Sequence, residues 1–140
     1  LSWSSDKTLR LWDLKAGTFK VSAGHTKYIR GVHMMKNNQA LSWSWDGTLR
    51  LWDLKVGTSK VFEGHTEVVL GVHLMKNNQA LSWSNDGTIL LWDLTNDIVA
   101  KYFFGGLNKV FLTNFPNRII CFNNLGRHRI LELSDQFKID

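Results

Sequence analysis

The chain has 140 residues, of which 44% are apolar and 21% are charged, and its formal net charge is +5 at pH 7. This length and composition are typical of a globular domain with a real core, and the absence of any run of 18 apolar residues argues against a membrane-spanning helix. The one cysteine, Cys121, cannot form an internal disulfide, which is compatible with a cytoplasmic location.

One fourteen-residue phrase organises the chain. LSWSWDGTLRLWDL at 41–54 recurs 40 residues earlier at 1–14, and again at 81–94, where 11 of the 14 residues are kept. Residues 1–40 match residues 41–80 at 29 of 40 positions. A 40-residue unit that alternates polar and apolar residues is typical of a β-propeller blade.

The pattern predicts β-strands in four units, with boundaries at 1–22, 23–62, 63–102 and 103–140. In chain order, the strands are predicted at 1–4, 8–14 and 19–22, then 28–34, 40–44, 48–54 and 59–62, then 68–75, 80–84, 88–94 and 98–102, and finally 109–114, 118–123, 128–133 and 136–139. Polar and glycine-containing turns separate them, and Asp46-Gly47 is a strong hairpin signal. The first unit has no predicted inner strand, so we expect its inner edge to be open or to be filled by residues outside this sequence.

Gly24-His25 followed by Trp52-Asp53, and Gly64-His65 followed by Trp92-Asp93, resemble the WD-repeat family. The resemblance implies an all-β fold, an arc of four-stranded antiparallel propeller blades with strands a to d from the channel outward. About three and a half blades are too few to close a ring, so we expect a C-terminal fragment that needs missing blades or self-association to cover the open arc.

The resemblance also implies a buried polar network of His, Ser or Thr, Asp and Trp in each blade. Carried over by position, the structural network residues are His25, Ser42, Asp46 and Trp52 in one blade, His65, Ser82, Asp86 and Trp92 in the next, and Ser2, Asp6 and Trp12 in the first, whose histidine would precede residue 1.

Ser42, His25 and Asp46 are also the residue types of a hydrolase triad. No G-x-S-x-G elbow is present, and the same types recur at fixed spacing with a tryptophan, which favours a structural network over a nucleophile. We therefore predict no catalytic residue and no enzyme activity.

Two histidines, His33 and His73, recur in the predicted innermost strands. A metal site would need a third ligand, and none recurs at suitable spacing, so neither a metal site nor a cofactor is predicted. Trp3, Trp43 and Trp83 depart from the family, which more often has a small residue there, and we interpret them as packing between blades.

The last unit loses the phrase. At +40 spacing, the network positions hold Gly105, Phe122, Gly126 and Glu132. We expect a terminal blade that depends on apolar contacts such as Phe111, Phe115 and Ile119.

The differences between copies suggest where a protein partner binds. In the family's geometry they lie on one face, the propeller top face, and they include two aromatic residues and an arginine, types enriched at binding hot spots. The predicted partner-binding residues are Tyr28, Arg30, Trp45, Val68, Leu70 and Asn85. Drift at exposed loops is the alternative explanation.

The leading functional prediction is a non-catalytic protein-protein interaction scaffold, as part of a longer WD-repeat sensor or scaffold protein. The alternative is an anion- or nucleic-acid-binding surface that uses the basic excess. Lysines and arginines recur at repeat-related turns instead of forming one patch, so a nucleic-acid partner is disfavoured. No membrane partner is predicted.

Overall fold

The computed structural model describes residues 1–76, 78–96, 98–112, 118–123 and 125–132. The regular structure in these ranges consists of β-strands. The strands are β1 Ser2–Trp3, β2 Thr8–Asp13, β3 Thr18–Ala23, β4 Ile29–Met34, β5 Gln39–Ser44, β6 Leu49–Asp53, β7 Ser59–Phe62, β8 Val69–Leu74, β9 Gln79–Ser84, β10 Thr88–Asp93, β11 Ile98–Phe103, β12 Leu107–Leu112, β13 Arg118–Asn123 and β14 His128–Glu132.

These strands form four antiparallel sheets, each built from consecutive strands: β1–β3, β4–β7, β8–β11 and β12–β14. We call them the first to fourth sheets. The second and third have four strands each, and the sheets form an arc that does not close. This confirms the predicted all-β propeller arc. The strand predicted at 136–139 and the side chain of Phe115 lie outside the described residues.

The tight turn between the second and third strands of each blade follows from its sequence. Gly47 takes a φ of 83°, in the left-handed region that favours glycine, and the Asp46 carboxylate accepts the backbone N–H of Thr48 at 2.9 Å. In the first sheet Lys7 takes this conformation with a φ of 71°. The turn thus aims the aspartate side chain back along the hairpin.

A β-bulge interrupts the innermost strand of the second and third sheets. The register shifts between Ile29 and Gly31 in β4, and between Val69 and Gly71 in β8. Arg30 and Leu70 are therefore the extra residues, unpaired in the ladder, and such bulges re-aim side chains at sheet edges.

Apolar cores lie between neighbouring sheets. Leu9 of the first sheet packs with Trp52 and Leu54 of the second, and Phe62 of the second packs with Trp92 and Leu94 of the third. The third core contains Leu81, Ile89, Leu91, Phe104, Leu107, Ile119 and Cys121. Each sheet is thus apolar on both faces wherever it has two neighbours.

Candidate functional site

The predicted network residues of the second sheet meet in one hydrogen-bonded chain. Trp52 Nε1 donates to Ser42 Oγ at 2.8 Å, and Ser42 Oγ lies 2.7 Å from His25 Nε2. His25 Nδ1 lies 2.9 Å from Asp46 Oδ2, which also accepts the backbone N–H of Thr26. The chain runs from the core to the turn that carries the aspartate.

The third sheet repeats the arrangement with one change of partner. Trp92 Nε1 donates to Ser82 Oγ at 2.8 Å, and His65 Nε2 lies 2.7 Å from the same oxygen. His65 Nδ1 lies 2.8 Å from Thr88 Oγ1 and 3.4 Å from Asp86 Oδ2. Here the threonine hydroxyl oxygen accepts the hydrogen bond from His65 Nδ1–H, and the hydroxyl donates in turn to Asp86 Oδ1.

The direction of the bonds in the third sheet follows from the aspartate. An ionised carboxylate can only accept, so Thr88 donates its hydroxyl proton to Asp86 and His65 must carry a proton on Nδ1. A neutral His65 then accepts the Ser82 hydroxyl proton at Nε2, while Ser82 Oγ accepts the indole N–H of Trp92. Burial lowers the pKa of His65 to about 4, against the charge of Asp86, so this histidine is neutral at pH 7.

Both aspartates stay ionised within this network. Burial alone would raise the pKa of Asp46, but hydrogen bonds from His25, Thr48 and Thr26 hold the pKa well below its ordinary value. The same balance lowers the pKa of Asp86, where Thr88 and Thr66 donate. The Asp46 carboxylate, through His25 and the Thr26 N–H, and the Asp86 carboxylate, through Thr88 and the Thr66 N–H, therefore fix the loop before each innermost strand.

The first sheet contains the tryptophan–serine and threonine–aspartate bonds of the network but has no histidine between them. Trp12 Nε1 donates to Ser2 Oγ at 2.8 Å, and Thr8 donates to Asp6 as in the other copies. Arg10 Nη2 occupies the free oxygen of Asp6 at 3.0 Å. In the second sheet the equivalent Arg50 binds Ser59 instead, because His25 and Thr26 already occupy that aspartate oxygen.

Sequence reasoning missed the threonines. Thr48 Oγ1 donates to Asp46 Oδ1 at 2.7 Å and also lies 3.3 Å from His25 Nδ1, so it belongs to the network. The sequence does indicate these threonines, because an Asp-x-Thr motif occurs in all three copies of the phrase, beginning at Asp6, Asp46 and Asp86. Side chains that bond their own turn are easily read as local turn formers.

The fourth sheet replaces the network by apolar side chains, and strand pairing shows which ones. Cys121 pairs with Val110 and Arg129 as Ser82 pairs with Val72 and Leu90, so Cys121 stands in the serine's place. By the same pairing Leu131 stands in the place of Trp92. Phe104 takes the place of His65, since its carbonyl contacts Gly87 as that of His65 contacts Gly47.

The expected equivalences at Gly105, Phe122, Gly126 and Glu132 are therefore wrong, because the fourth unit is shorter by one residue up to β13. Phe104 and Cys121 are buried in the core beside Leu131, and burial raises the pKa of the Cys121 thiol to about 11. Ile119 is buried as expected, whereas Phe111 is half-exposed and its ring packs edge-on against Phe122 at 5.5 Å.

The predicted partner-binding residues lie on the second and third sheets, in the loops just before β4 and β8, at the start of those two strands, and in the turns just after β5 and β9. Trp45 N donates to the Tyr28 carbonyl at 2.9 Å, and Asn85 N donates to the Val68 carbonyl at 3.1 Å. The Tyr28 and Trp45 rings pack at 5.6 Å between centroids, and both are about half-exposed. We call Tyr28, Arg30, Trp45, Val68, Leu70 and Asn85 the rim patch.

Arg30 connects the two halves of the rim patch. Its Nε donates to the Leu70 carbonyl at 3.1 Å, across the gap between the second and third sheets. The bulge frees that carbonyl from the strand ladder. The structure thus brings the Arg30 side chain to the backbone of Leu70, 40 residues away in sequence.

Two stretches of the chain, 17–53 and 57–93, match the family model for the WD domain, G-beta repeat, and they cover just over half of its residues. The chain belongs to the WD40 repeat family. Each matched WD40 repeat contains the outermost strand of one sheet and the first three strands of the next, so every repeat joins two neighbouring blades. WD40 repeats in general are protein-interaction scaffolds and are generally non-enzymatic.

Solved structures agree with the propeller fold. The computationally designed Ika4 protein is 23% identical, with a TM-score of 0.77 over 94% of this chain and 83% of that one. The computationally designed Ika8 protein is 22% identical, with a TM-score of 0.75 over 92% of this chain and 41% of that one. At such identities the likeness shows the fold alone. No curated protein sequence matches this WD40 chain.

Within the WD40 repeats the triad-like serines are inaccessible. Ser42 and Ser82 are fully buried, and each already accepts an indole N–H and faces a histidine nitrogen. A nucleophile needs an exposed oxygen beside an oxyanion pocket. The geometry therefore assigns these serines to structure.

The described ranges contain no group of three or more His, Cys, Asp or Glu side chains that could hold a metal ion. His33 Nε2 donates to the Val72 carbonyl at 3.1 Å, and burial lowers the pKa of His73. Across the described residues, no helix is long and apolar enough to cross a membrane.

Proposed function

We propose that this chain is a non-catalytic protein-protein interaction scaffold whose partner binds the rim patch. The observation that carries the proposal is the exposed Tyr28–Trp45 pair, whose rings pack on each other while leaving about half of their surface open. Large aromatic side chains and arginine supply most of the binding energy in protein interfaces. The backbone bond between Trp45 and Tyr28 holds the pair rigid, which lowers the entropic cost of binding.

The test compares partner capture by the wild-type chain, a Trp45→Ala/Arg30→Ala double variant and a Val56→Ala control. Val56 is exposed in the turn after β6, at the opposite end of that strand from Trp45. Quantitative mass spectrometry of captured proteins should show specific partners lost from the double variant and kept by the control, with similar melting temperatures. Full retention by the double variant would place the partner site elsewhere.

The second candidate is an anion- or nucleic-acid-binding surface, supported by the net charge of +5. Affinity for a phosphate backbone falls linearly with salt on a logarithmic scale, with a slope near 0.9 per phosphate contact for duplex DNA. Capture that survives a rise from 50 to about 200 mM salt supports the protein partner. A steep loss favours the nucleic-acid surface.

A further part of the proposal concerns the face of the first sheet that points away from the second sheet. We propose that additional WD40 blades or a second copy of the chain cover this face. Leu14 is 91% exposed, whereas its equivalent Leu54 is 4% exposed because the first sheet packs on it. Trp12 and Phe19 lie beside Leu14 around a hollow of about 500 Å³. Sedimentation of the 140-residue chain should show self-association, and the double variant Trp12→Ser/Phe19→Ser should reduce it. A chain that stays monomeric at all concentrations contradicts coverage by a second copy.

A cytoplasmic location stays a prediction that rests on the single, buried Cys121.

A further inference from the structure

A groove of about 430 Å³ follows the inner edge of the arc, where the first strands of the second, third and fourth sheets come together. Its lining residues are Arg30, Leu70, Trp83, Lys109, Val110 and Phe111. We call it the inner groove. It borders the rim patch, with which it shares Arg30 and Leu70.

The wall formed by Trp83 depends on a glycine. A Cβ on Gly71 would lie 2.2 Å from Trp83 Cζ2, so the indole can cross the innermost strand only because that residue has no side chain. Gly31 and Trp43 repeat the arrangement in the second sheet. Trp83 also packs against the core between the third and fourth sheets, so packing between blades accounts for only part of its surface.

The fourth sheet changes both members of this pair. Lys109 pairs with Phe122 as Gly71 pairs with Trp83, so a lysine stands where the other blades have glycine, and a smaller ring stands where they have tryptophan. Lys109 is exposed and lines the inner groove beside Phe111. The change places a cation at a position that is uncharged in the two preceding blades.

Among the described residues, the charges that line the groove are of one sign. Arg30 and Lys109 are the ionisable lining residues in that part of the chain, and no acidic side chain of it lines the groove. Arg30 uses Nε to bind the Leu70 carbonyl, and in the described part of the chain its two terminal nitrogens have no hydrogen-bond partner. A guanidinium held by Nε presents its terminal N–H groups in the fork that matches a carboxylate.

We propose that the inner groove binds an acidic peptide segment of the protein partner, with carboxylates on Arg30 and Lys109 and an apolar side chain between Trp83 and Phe111. The inference rests on the proposed scaffold function and names the chemistry of its partner. Two cations on aromatic and aliphatic walls suit a short peptide that is both acidic and apolar. A nucleic acid needs a longer track of cations along its backbone. Lys60, for example, does not extend such a track, because its ammonium already donates to the carbonyls of Thr95 and Asn96.

The experiment measures fluorescence anisotropy with labelled synthetic peptides. The first probe has a central leucine flanked on each side by two aspartates and a glutamate. The matched controls replace every acid by its amide, or the leucine by alanine, and labelled oligothymidylate is the nucleic-acid probe. The full chain is compared with Arg30→Gln, Lys109→Gln, Phe111→Ala and the control Lys55→Gln, an exposed lysine outside the groove.

We expect the acidic peptide to bind, the amide and alanine peptides to bind at least about tenfold more weakly, and each groove variant to lose about five- to tenfold in affinity. Lys55→Gln should retain wild-type affinity. Lys109→Glu should reverse the preference toward a peptide with lysines in place of the acids. Because Lys109 is exposed, Lys109→Gln should keep the wild-type melting temperature, whereas Phe111→Ala, which removes a half-exposed ring packed on Phe122, should lower it slightly.

No binding of the acidic peptide, equal binding of its amide form, or tighter binding of oligothymidylate would overturn the proposal. Loss of affinity in Lys55→Gln as large as in Lys109→Gln would also overturn it, since it would show a general charge effect. If Lys109→Gln and Phe111→Ala leave natural partner capture intact while Trp45→Ala abolishes it, the acidic-peptide groove fails and the scaffold function stands.

Discussion

Trp12 and Trp52 occupy the same place in two copies of one phrase, and each donates its indole N–H to a serine oxygen at 2.8 Å. Their exposed fractions are 42% and 1%. The second sheet has a neighbour on the face that carries Trp52, and the described residues place no sheet against Trp12. The hydrogen bond is therefore a property of the local sequence, whereas burial is a property of the neighbouring blade.

The largest expected effect separates these two tryptophans. Trp52→Ala should lower the free energy of unfolding by about 3 to 5 kcal/mol, because it deletes a large buried aromatic side chain. Trp12→Ala should cost much less, because water already reaches that ring. Urea unfolding curves of both variants test this, and equal losses would mean that Trp12 is covered in solution.

The pH dependence of stability sharpens the role of the neutral histidine. The folded pKa of His65 is about 4 and its ordinary value is 6.5, so below pH 6.5 the unfolded chain binds a proton that the folded chain does not. Stability is fully present above pH 6.5 and falls as the pH drops toward 4, by about 3 kcal/mol from this group.

Asp46 and Asp86 act in the same direction at lower pH, because their lowered pKa values remove stability as the pH falls below about 3.8.

The His65 prediction is tested by a series of urea titrations from pH 8 to 4 on the wild type and on His65→Gln. A variant that loses as much stability on acidification as the wild type would contradict a neutral His65.

Removing the aspartate of the turn should distinguish a complete network from a partial one. Asp46→Ala leaves His25 Nδ1 and the Thr26 N–H without their acceptor, at a cost of about 1 to 3 kcal/mol. Asp6→Ala should have little effect, since that carboxylate is exposed and no histidine of the described residues bonds to it. Thermal melts of the two variants suffice, and equal shifts would argue against the network as a stabilising unit.

The last expected effect, of about the same size, concerns the glycine under Trp83. Gly71→Ala should cost about 1 to 3 kcal/mol through overpacking, because the new Cβ would overlap the indole. Trp83→Phe should relieve part of that cost, as the Lys109–Phe122 pair of the fourth sheet suggests. A double-mutant cycle gives the coupling directly. Strict additivity would show that the ring moves away without strain.

The sequence alone determined the 40-residue repeat, the family and the residue types of the buried polar network. A 40-residue period, Gly-His and Trp-Asp were sufficient because the network uses side chains at fixed distances along each hairpin, and Asp46-Gly47 encodes its turn locally. The grouping of Tyr28 with Trp45 was also within reach, since both positions vary between otherwise similar copies.

Only the tertiary structure decided the rest. The replacement of His, Ser and Trp by Phe104, Cys121 and Leu131 depends on strand register, which a one-residue difference in spacing hides from a sequence comparison. The inner groove joins Arg30 to Lys109 across three sheets, and sequence separation gives no measure of that proximity. Burial of a tryptophan likewise depends on which sheet covers it, because the hydrophobic effect acts on surface removed from water and not on residue type.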